Sequence, residues 1–215
     1  MKTYRALAAL LSYPSAELLA ALPEIAAEFE GNEVDGLLAE LAGTPLVRLE
    51  ERYVALFDRS RALSLHLFEH VHGESRDRGQ AMVSLQEMYE ARGLKIADGE
   101  LPDYIPAFLE YLSLAERAEA KQLLQETAHL FRTLGERLAE RGSRYAEVFD
   151  ALLRLGGEPR LEKRIATASP AEDERAALDA QWMDPEVTFG PGEGCANPSR
   201  PAVAPVRLHR KGVTA

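Results

Sequence analysis

The sequence predicts an all-α protein, a single compact helical bundle followed by a C-terminal extension. Three observations predict this class. Apolar residues recur at helical spacing along most of the chain, patterns typical of β-strands are almost absent, and only short breaks separate the apolar stripes. With 215 residues and 46% hydrophobic content, the chain can bury one core of ordinary size. We therefore expect the helices to pack as a bundle.

The first predicted helices are joined by a proline turn. The apolar residues 4–11 indicate a short helix that ends at the turn before Pro14. Ser15 is a typical N-cap for the second helix. We expect Pro23 to kink or restart this helix, which then continues to Gly31.

Further helices precede the middle of the chain. One carries a leucine stripe and stops at Gly43. Thr44, followed by proline at the first helical position, is expected to cap the next helix, whose core stripe runs from Leu46 to Phe57. Beyond it, apolar residues alternate over residues 63–68, so this segment fits an extended or irregular conformation as well as a helix.

The second half of the chain continues the helical pattern. One apolar stripe predicts a helix that ends at Gly93. We expect Asp103 to cap the following helix, with Pro106 in its first turn. A long helix broken at Gly142 comes next, and a last bundle helix closes at Gly157.

Composition divides the chain into parts. Residues 1–157 are predicted to form the helical domain, residues 158–184 a peripheral helix, and residues 185–215 a tail rich in proline and glycine. The tail has too few apolar residues to offset the entropy of its chain, so we expect it to be disordered. The basic side chains of the tail carry the opposite charge to the acidic remainder of the chain.

Charge and cysteine content limit the partners and the compartment. The formal net charge of −10 disfavours nucleic acid and anionic membranes, and it favours a partner with positive charge such as a basic peptide. No apolar run approaches the roughly 20 residues that span a bilayer, and no signal peptide is indicated. Cys195 is the only cysteine, which excludes an intramolecular disulfide. The expectation is a cytoplasmic protein without direct membrane insertion.

Residues 67–82, hereafter the charged segment, concentrate ionisable groups between apolar helical stripes. Such groups are costly to bury, so the segment is either a solvated connection or a working surface. A helix-capping role for Glu74 or Ser75 fits the connection. Phe68, Val71 and Met82 beside carboxylates fit a groove for a basic, amphipathic peptide. The residues alone leave both interpretations open.

The sequence offers no convincing active site. His66, His70 and His72 with Glu69 are possible metal ligands, but no zinc-protease signature or cysteine pair accompanies them. Cys195 lies in the predicted tail, where no scaffold could hold a catalytic base beside it. Nucleophile elbows and nucleotide-binding glycine loops are missing as well. A helical metal-binding enzyme is kept as an alternative, but the expectation is no enzyme, no metal and no cofactor.

Several motifs resemble the NarJ-type assembly chaperones of respiratory nitrate reductase. Besides the charged segment, they occupy residues 10–14, 56–59, 100–106, 109–112 and 182–189. The resemblance covers roughly residues 1–190 and rests most heavily on the long charged motif. One residue departs from the pattern, because Tyr104 stands where this family is expected to have histidine.

The resemblance implies a bundle of the redox-enzyme maturation chaperone type and no catalysis. Such a chaperone binds the apo form of the catalytic (alpha) subunit of respiratory nitrate reductase and recognises its N-terminal, twin-arginine-like segment. It holds this subunit until the molybdenum cofactor is inserted and before it docks at the membrane. A chaperone for a related molybdoenzyme reductase is the alternative. We expect a monomer or a weak dimer.

The acidic charge of the chain and its family resemblance both indicate a peptide-binding surface. We expect this surface on the charged segment and on the loop before the helix at Pro106. The expected partner contacts are Phe68, Glu69, His70, Val71, His72, Gly73, Glu74, Arg76, Asp77, Arg78, Gln80, Met82, Asp103 and Tyr104. A histidine in this surface would make binding depend on pH, because its protonation adds positive charge near a basic ligand. A general interaction module whose basic tail regulates access is a further hypothesis.

Overall fold

The structure, a computed structural model, describes residues 2–71, 76–97 and 99–162, with the backbone alone at residues 76 and 77. All of these residues belong to the first of two units into which the chain divides, Met1–Ser169. Most of the predicted peripheral helix and all of the tail lie outside the described residues. The described residues 158–162 are not helical.

The described part of the chain is helical and contains no β-strand, which confirms the predicted all-α class. A π-helical turn at Val54–Asp58 continues the fourth helix, and a 3-10 turn follows at Arg61–Leu63. The α-helices are α1 (Lys2–Leu11), α2 (Ala16–Ala26), α3 (Asp35–Gly43), α4 (Leu46–Tyr53), α5 (Leu67–Val71), α6 (Arg76–Glu90), α7 (Ile105–Leu114), α8 (Arg117–Glu140) and α9 (Ala146–Gly156).

The most extensive helix contacts join α1 with α7 and α8 with α9, and residues of α2, α3 and α4 also contribute to the core. In the second pair a glycine permits close approach: a Cβ on Gly135 would lie 2.8 Å from Leu161 Cδ1 and 3.1 Å from Phe149 Cβ. Hence α8 carries no side chain at this contact. In the described residues no helix is long and apolar enough to cross a membrane.

Several predicted helix ends are confirmed. The hydroxyl of Ser15 accepts a hydrogen bond from the Leu18 N–H at 3.2 Å, so it caps α2 as predicted. Gly93, Gly142 and Gly157 follow helix ends with positive φ, a conformation that a glycine adopts without steric cost.

Other boundaries were predicted wrongly. Pro23 lies inside an uninterrupted α2. This helix ends at Ala26, and the N–H groups of Glu28 and Phe29 bond carbonyls three residues earlier instead of four. Pro45, not Thr44, is the N-cap of α4, and no side chain caps that helix. Helix α6 (Arg76–Glu90) is longer than its apolar stripe, because it already contains Gly79 before the first apolar residue of that stripe, Met82.

Candidate functional site

The loop before α7 is held in place by one buried carboxylate. Asp103 is 0% exposed, and its Oδ2 accepts a hydrogen bond of 3.1 Å from the Phe68 N–H. Its backbone carbonyl accepts another, of 2.9 Å, from the Leu67 N–H. Asp103 therefore satisfies donors at the start of α5. The predicted cap of α7 is wrong, because that N-cap is Tyr104 without a side-chain bond.

His66 is joined to the same carboxylate. Its Nδ1 lies 3.1 Å from Asp103 Oδ1. This hydrogen bond is the main reason why the pKa of His66 is raised, although partial burial opposes the shift. An isolated antiparallel bridge pairs His66 with Tyr104, and their ring centroids are 5.5 Å apart. The segment around His66 is thus extended, one of the conformations left open by its sequence.

A cluster of aromatic rings continues from Tyr104. The Tyr53 hydroxyl donates to the Leu11 carbonyl at 2.8 Å and lies 3.2 Å from the Tyr104 hydroxyl. The Tyr53 ring contacts Phe57 at 4.8 Å and the edge of Tyr13 at 5.4 Å, measured between centroids. Because burial raises the pKa of Tyr53, the phenol stays protonated and can donate.

These groups surround a cleft of about 240 Å³, hereafter the tyrosine cleft. It lies where the turn after α1, the π-helical turn, the extended segment at His66 and the loop before α7 meet. Its lining consists of Tyr13, Tyr53, Phe57, Asp58, Leu65, His66, Glu100 and Tyr104. Aromatic faces and exposed carboxylates therefore share one small concavity.

The negative charges of the cleft act on the hydroxyl of Tyr104. Burial is the main reason why the pKa of Tyr104 is raised, and the carboxylates of Glu100 and Asp58 raise it further, while the hydrogen bond shared with the Tyr53 hydroxyl lowers it. Asp58 belongs to the π-helical turn and Glu100 to the loop before α7, and both carboxylates act on this ring.

The predicted contact residues of α5 have different environments. Phe68 packs in part against the core, and the Nε2 of His70 lies 2.8 Å from the Ser64 carbonyl, to which it can donate. Glu69 is half-buried, whereas Val71 is 49% exposed. Val71 is thus the most accessible apolar group of this helix.

The rest of the charged segment is described only in part. His72, Gly73 and Glu74 lie outside the described residues, as do the side chains of Arg76 and Asp77. On α6, Gln80 is exposed while Arg78 and Met82 are half-buried. The carboxylate of Asp103 is fully buried and bonded to His66 and Phe68, so it is not exposed in this structure for the contact predicted for it.

Sequence reasoning did not identify the tyrosine cleft as one site. Tyr13, Tyr53, Phe57, Asp58 and Glu100 are spread over almost ninety positions of the chain and share no motif spacing. The resemblance of residues 10–14, 56–59 and 100–106 to family motifs marked three parts of its wall, without indicating that they meet. The aromatic residues otherwise looked like ordinary core.

The histidines form no evident metal centre in the described residues. His66 is bonded to Asp103 and His70 to a backbone carbonyl. No group of three or more side chains able to hold a metal ion occurs in the ranges that the structure describes. His72, the remaining ligand of the metal hypothesis, lies outside them.

Comparison with known proteins identifies the family. Residues 11–151 match the family model described as nitrate reductase delta subunit. The chain belongs to this family. The delta-subunit family match includes the whole tyrosine cleft and the charged segment.

Curated relatives extend the similarity over most of the chain. The nitrate reductase molybdenum cofactor assembly chaperone NarJ of Escherichia coli (strain K12) is 40% identical over 202 residues, which cover 87% of this chain and 85% of that protein. A protein of Bacillus subtilis (strain 168) assigned to the same role is 33% identical over 158 residues, covering 70% of this chain and 86% of its own length.

A solved structure supports the fold. The crystal structure of a protein from Archaeoglobus fulgidus, assigned to redox enzyme maturation, superposes with a TM-score of 0.57 at 21% identity. The match covers 74% of this chain and 94% of that one. At this level of identity the similarity shows a shared fold, which is the type of bundle that the resemblance implied.

Proposed function

We propose that this protein is an assembly chaperone for respiratory nitrate reductase. It binds the apo catalytic subunit through the N-terminal, twin-arginine-like segment of that subunit. It supports insertion of the molybdenum cofactor before the subunit docks at the membrane, and it acts in the cytoplasm without catalysing a reaction. The observation that carries this proposal is the 40% identity to NarJ over 85% of that relative.

Charge supports a basic client. The chain has a net charge of −10, and exposed carboxylates lie beside aromatic rings in the tyrosine cleft. A positively charged, amphipathic segment would gain both electrostatic attraction and apolar contact at such a surface. A neutral or acidic segment would gain only the apolar contact.

The binding surface proposed here joins the cleft to the charged segment. Phe68 and Asp103 connect the two through the hydrogen bond between the Phe68 N–H and Asp103 Oδ2. Since α5 begins at this bond, exposed Val71 and the half-buried Glu69 are fixed relative to Tyr104. A bound helix or extended segment could then contact α5 and the cleft together.

Complementation tests the proposed function. A strain that expresses nitrate reductase and lacks its own assembly chaperone would be supplied with this chain. We expect nitrate reductase activity and molybdenum content of the catalytic subunit to be restored, and the tagged chain to co-purify with the apo subunit but not with the mature enzyme. Failure to restore molybdenum content at normal levels of the folded chain would exclude this function.

A further inference from the structure

The tyrosine cleft contains two carboxylates that are not paired with any arginine or lysine of the described residues. Asp58 and Glu100 are both exposed. Within the ranges that the structure describes, neither side chain forms a hydrogen bond or an ion pair, whereas carboxylates such as Glu119 and Asp150 are paired with arginines. The cleft thus offers negative charge to a ligand without first breaking an internal pair.

Aromatic surface lies beside these carboxylates. The ring of Tyr13 is 48% exposed and is held by its edge contact with Tyr53. Tyr104 is half-buried and is fixed by the hydroxyl of Tyr53 and the ring of His66. Rings that are held in this way can stack on a flat cation at little entropic cost.

The size of the cleft fits one side chain. Its volume of about 240 Å³ lies below the roughly 300 Å³ at which pockets for drug-sized molecules begin. A cofactor with several fused rings is therefore too large to be enclosed there. A single long side chain whose backbone stays outside is the matching occupant.

We propose that the tyrosine cleft is a guanidinium subsite that takes one arginine side chain of the client's N-terminal segment. This inference rests on the proposed function and names the chemistry that the surface recognises. The guanidinium stacks on the tyrosine rings, and its N–H groups donate to Asp58 and Glu100. Arginine is preferred over lysine because its planar fork can stack and bind carboxylates at the same time.

Calorimetry on the full chain tests the subsite. The probes are synthetic peptides of the N-terminal segment of the nitrate reductase catalytic subunit, with each arginine in turn replaced by citrulline, which keeps the shape and removes the charge. We expect one replacement to weaken binding about tenfold, the sum of a stacking contact and partly exposed ion pairs. Lysine at the same position should recover only part of this loss.

The matching protein variant is Asp58→Asn with Glu100→Gln. It should bind the arginine peptide about tenfold more weakly and should no longer distinguish arginine from citrulline. The control, Glu24→Gln with Glu126→Gln, removes the same charge from exposed sites that do not line the cleft. It should keep the discrimination, and unfolding curves should show that both variants fold.

The outcomes separate the subsite from the function. Tight binding by the wild type with an undiminished arginine preference in the Asp58→Asn/Glu100→Gln variant overturns the subsite and leaves the chaperone function standing. If the wild type binds none of the peptides and not the apo subunit, the proposed function itself fails. Equal binding of all peptides, with affinity raised by removing residues 196–215, would assign the cleft to the chain's own basic tail and overturn the proposal.

Discussion

At the scale of residues, the pair of His66 and Asp103 connects the extended segment to the loop before α7. The carboxylate bonds the imidazole and the start of α5, although thirty-seven positions separate the pair in the chain. Glu69 and Glu100 add smaller electrostatic contributions that also favour protonated His66. Protonation of His66 therefore strengthens the native contact and places positive charge on the wall of the tyrosine cleft.

This pair predicts a pH-dependent stability. The pKa of folded His66 is raised above its ordinary value, so its contribution is fully present below the unfolded pKa and is lost as pH rises through the folded pKa. We expect the difference in free energy of unfolding between wild type and His66→Gln to shrink from about pH 5 to about pH 9. Urea unfolding at several pH values measures it, and a constant difference would contradict the assignment. In Asp103→Asn, NMR titration should show a lower pKa of His66.

At the scale of elements, helix α3 is capped by a side chain from another helix. Its N-cap position, Val34, has no side chain that can accept a hydrogen bond. Instead, Glu147 of α9 accepts from the Leu37 N–H at 2.9 Å, with Arg144 beside the same carboxylate at 3.1 Å. Gly36 makes room for this contact, because a Cβ there would lie 2.2 Å from Glu147 Oε1.

If Glu147 caps α3, substitutions of Glu147 and of Gly36 should both lower the free energy of unfolding. Glu147→Ala should lower the free energy of unfolding by about 1–2 kcal/mol, because it leaves a helix N-terminus without an acceptor. Gly36→Ala should have an effect of similar sign, since its methyl group displaces the carboxylate. Chemical denaturation measures both, with Glu126→Ala as the control on an exposed face. If the double variant loses the sum of the single losses, the two residues do not act through one contact.

The π-helical turn is the element that forms one wall of the cleft. It continues α4 over Val54–Asp58, which places Phe57 in the core and leaves Asp58 exposed. Turns of this kind are rare and often occur at functional sites. The same residues in an uninterrupted α-helix would have a different angular order around the axis, so the side chain of Asp58 would point in a different direction.

At the scale of the whole molecule, net charge affects how a basic client is captured. A formal charge of −10 produces a long-range attraction that adds to the contacts in the cleft. Added salt should therefore lower the affinity for the client peptide several-fold between about 0.05 M and about 0.5 M, mainly through a slower association rate. Stopped-flow association rates measure this effect. Affinity independent of salt would show that apolar contact alone drives binding.

Prediction from sequence succeeded where the determining contacts are local. Ser15 caps the helix that begins one residue later, and the glycines at 142 and 157 follow helices that end beside them. Predictions failed where distant residues compete for the same groups. Asp103 was assigned to the adjacent α7, whereas its carboxylate bonds Phe68 and His66 instead.

The sequence by itself determined the helical class, most of the helices and, through its motifs, the family. These features depend on periodicity and on neighbours within about one helical turn, so they can be read along the chain. The tertiary structure alone showed which buried carboxylate joins His66 to the start of α5, which glutamate caps α3, and how Tyr13, Asp58 and Glu100 come to share one cleft. Such arrangements follow from how the helices pack, and no spacing in the sequence encodes them.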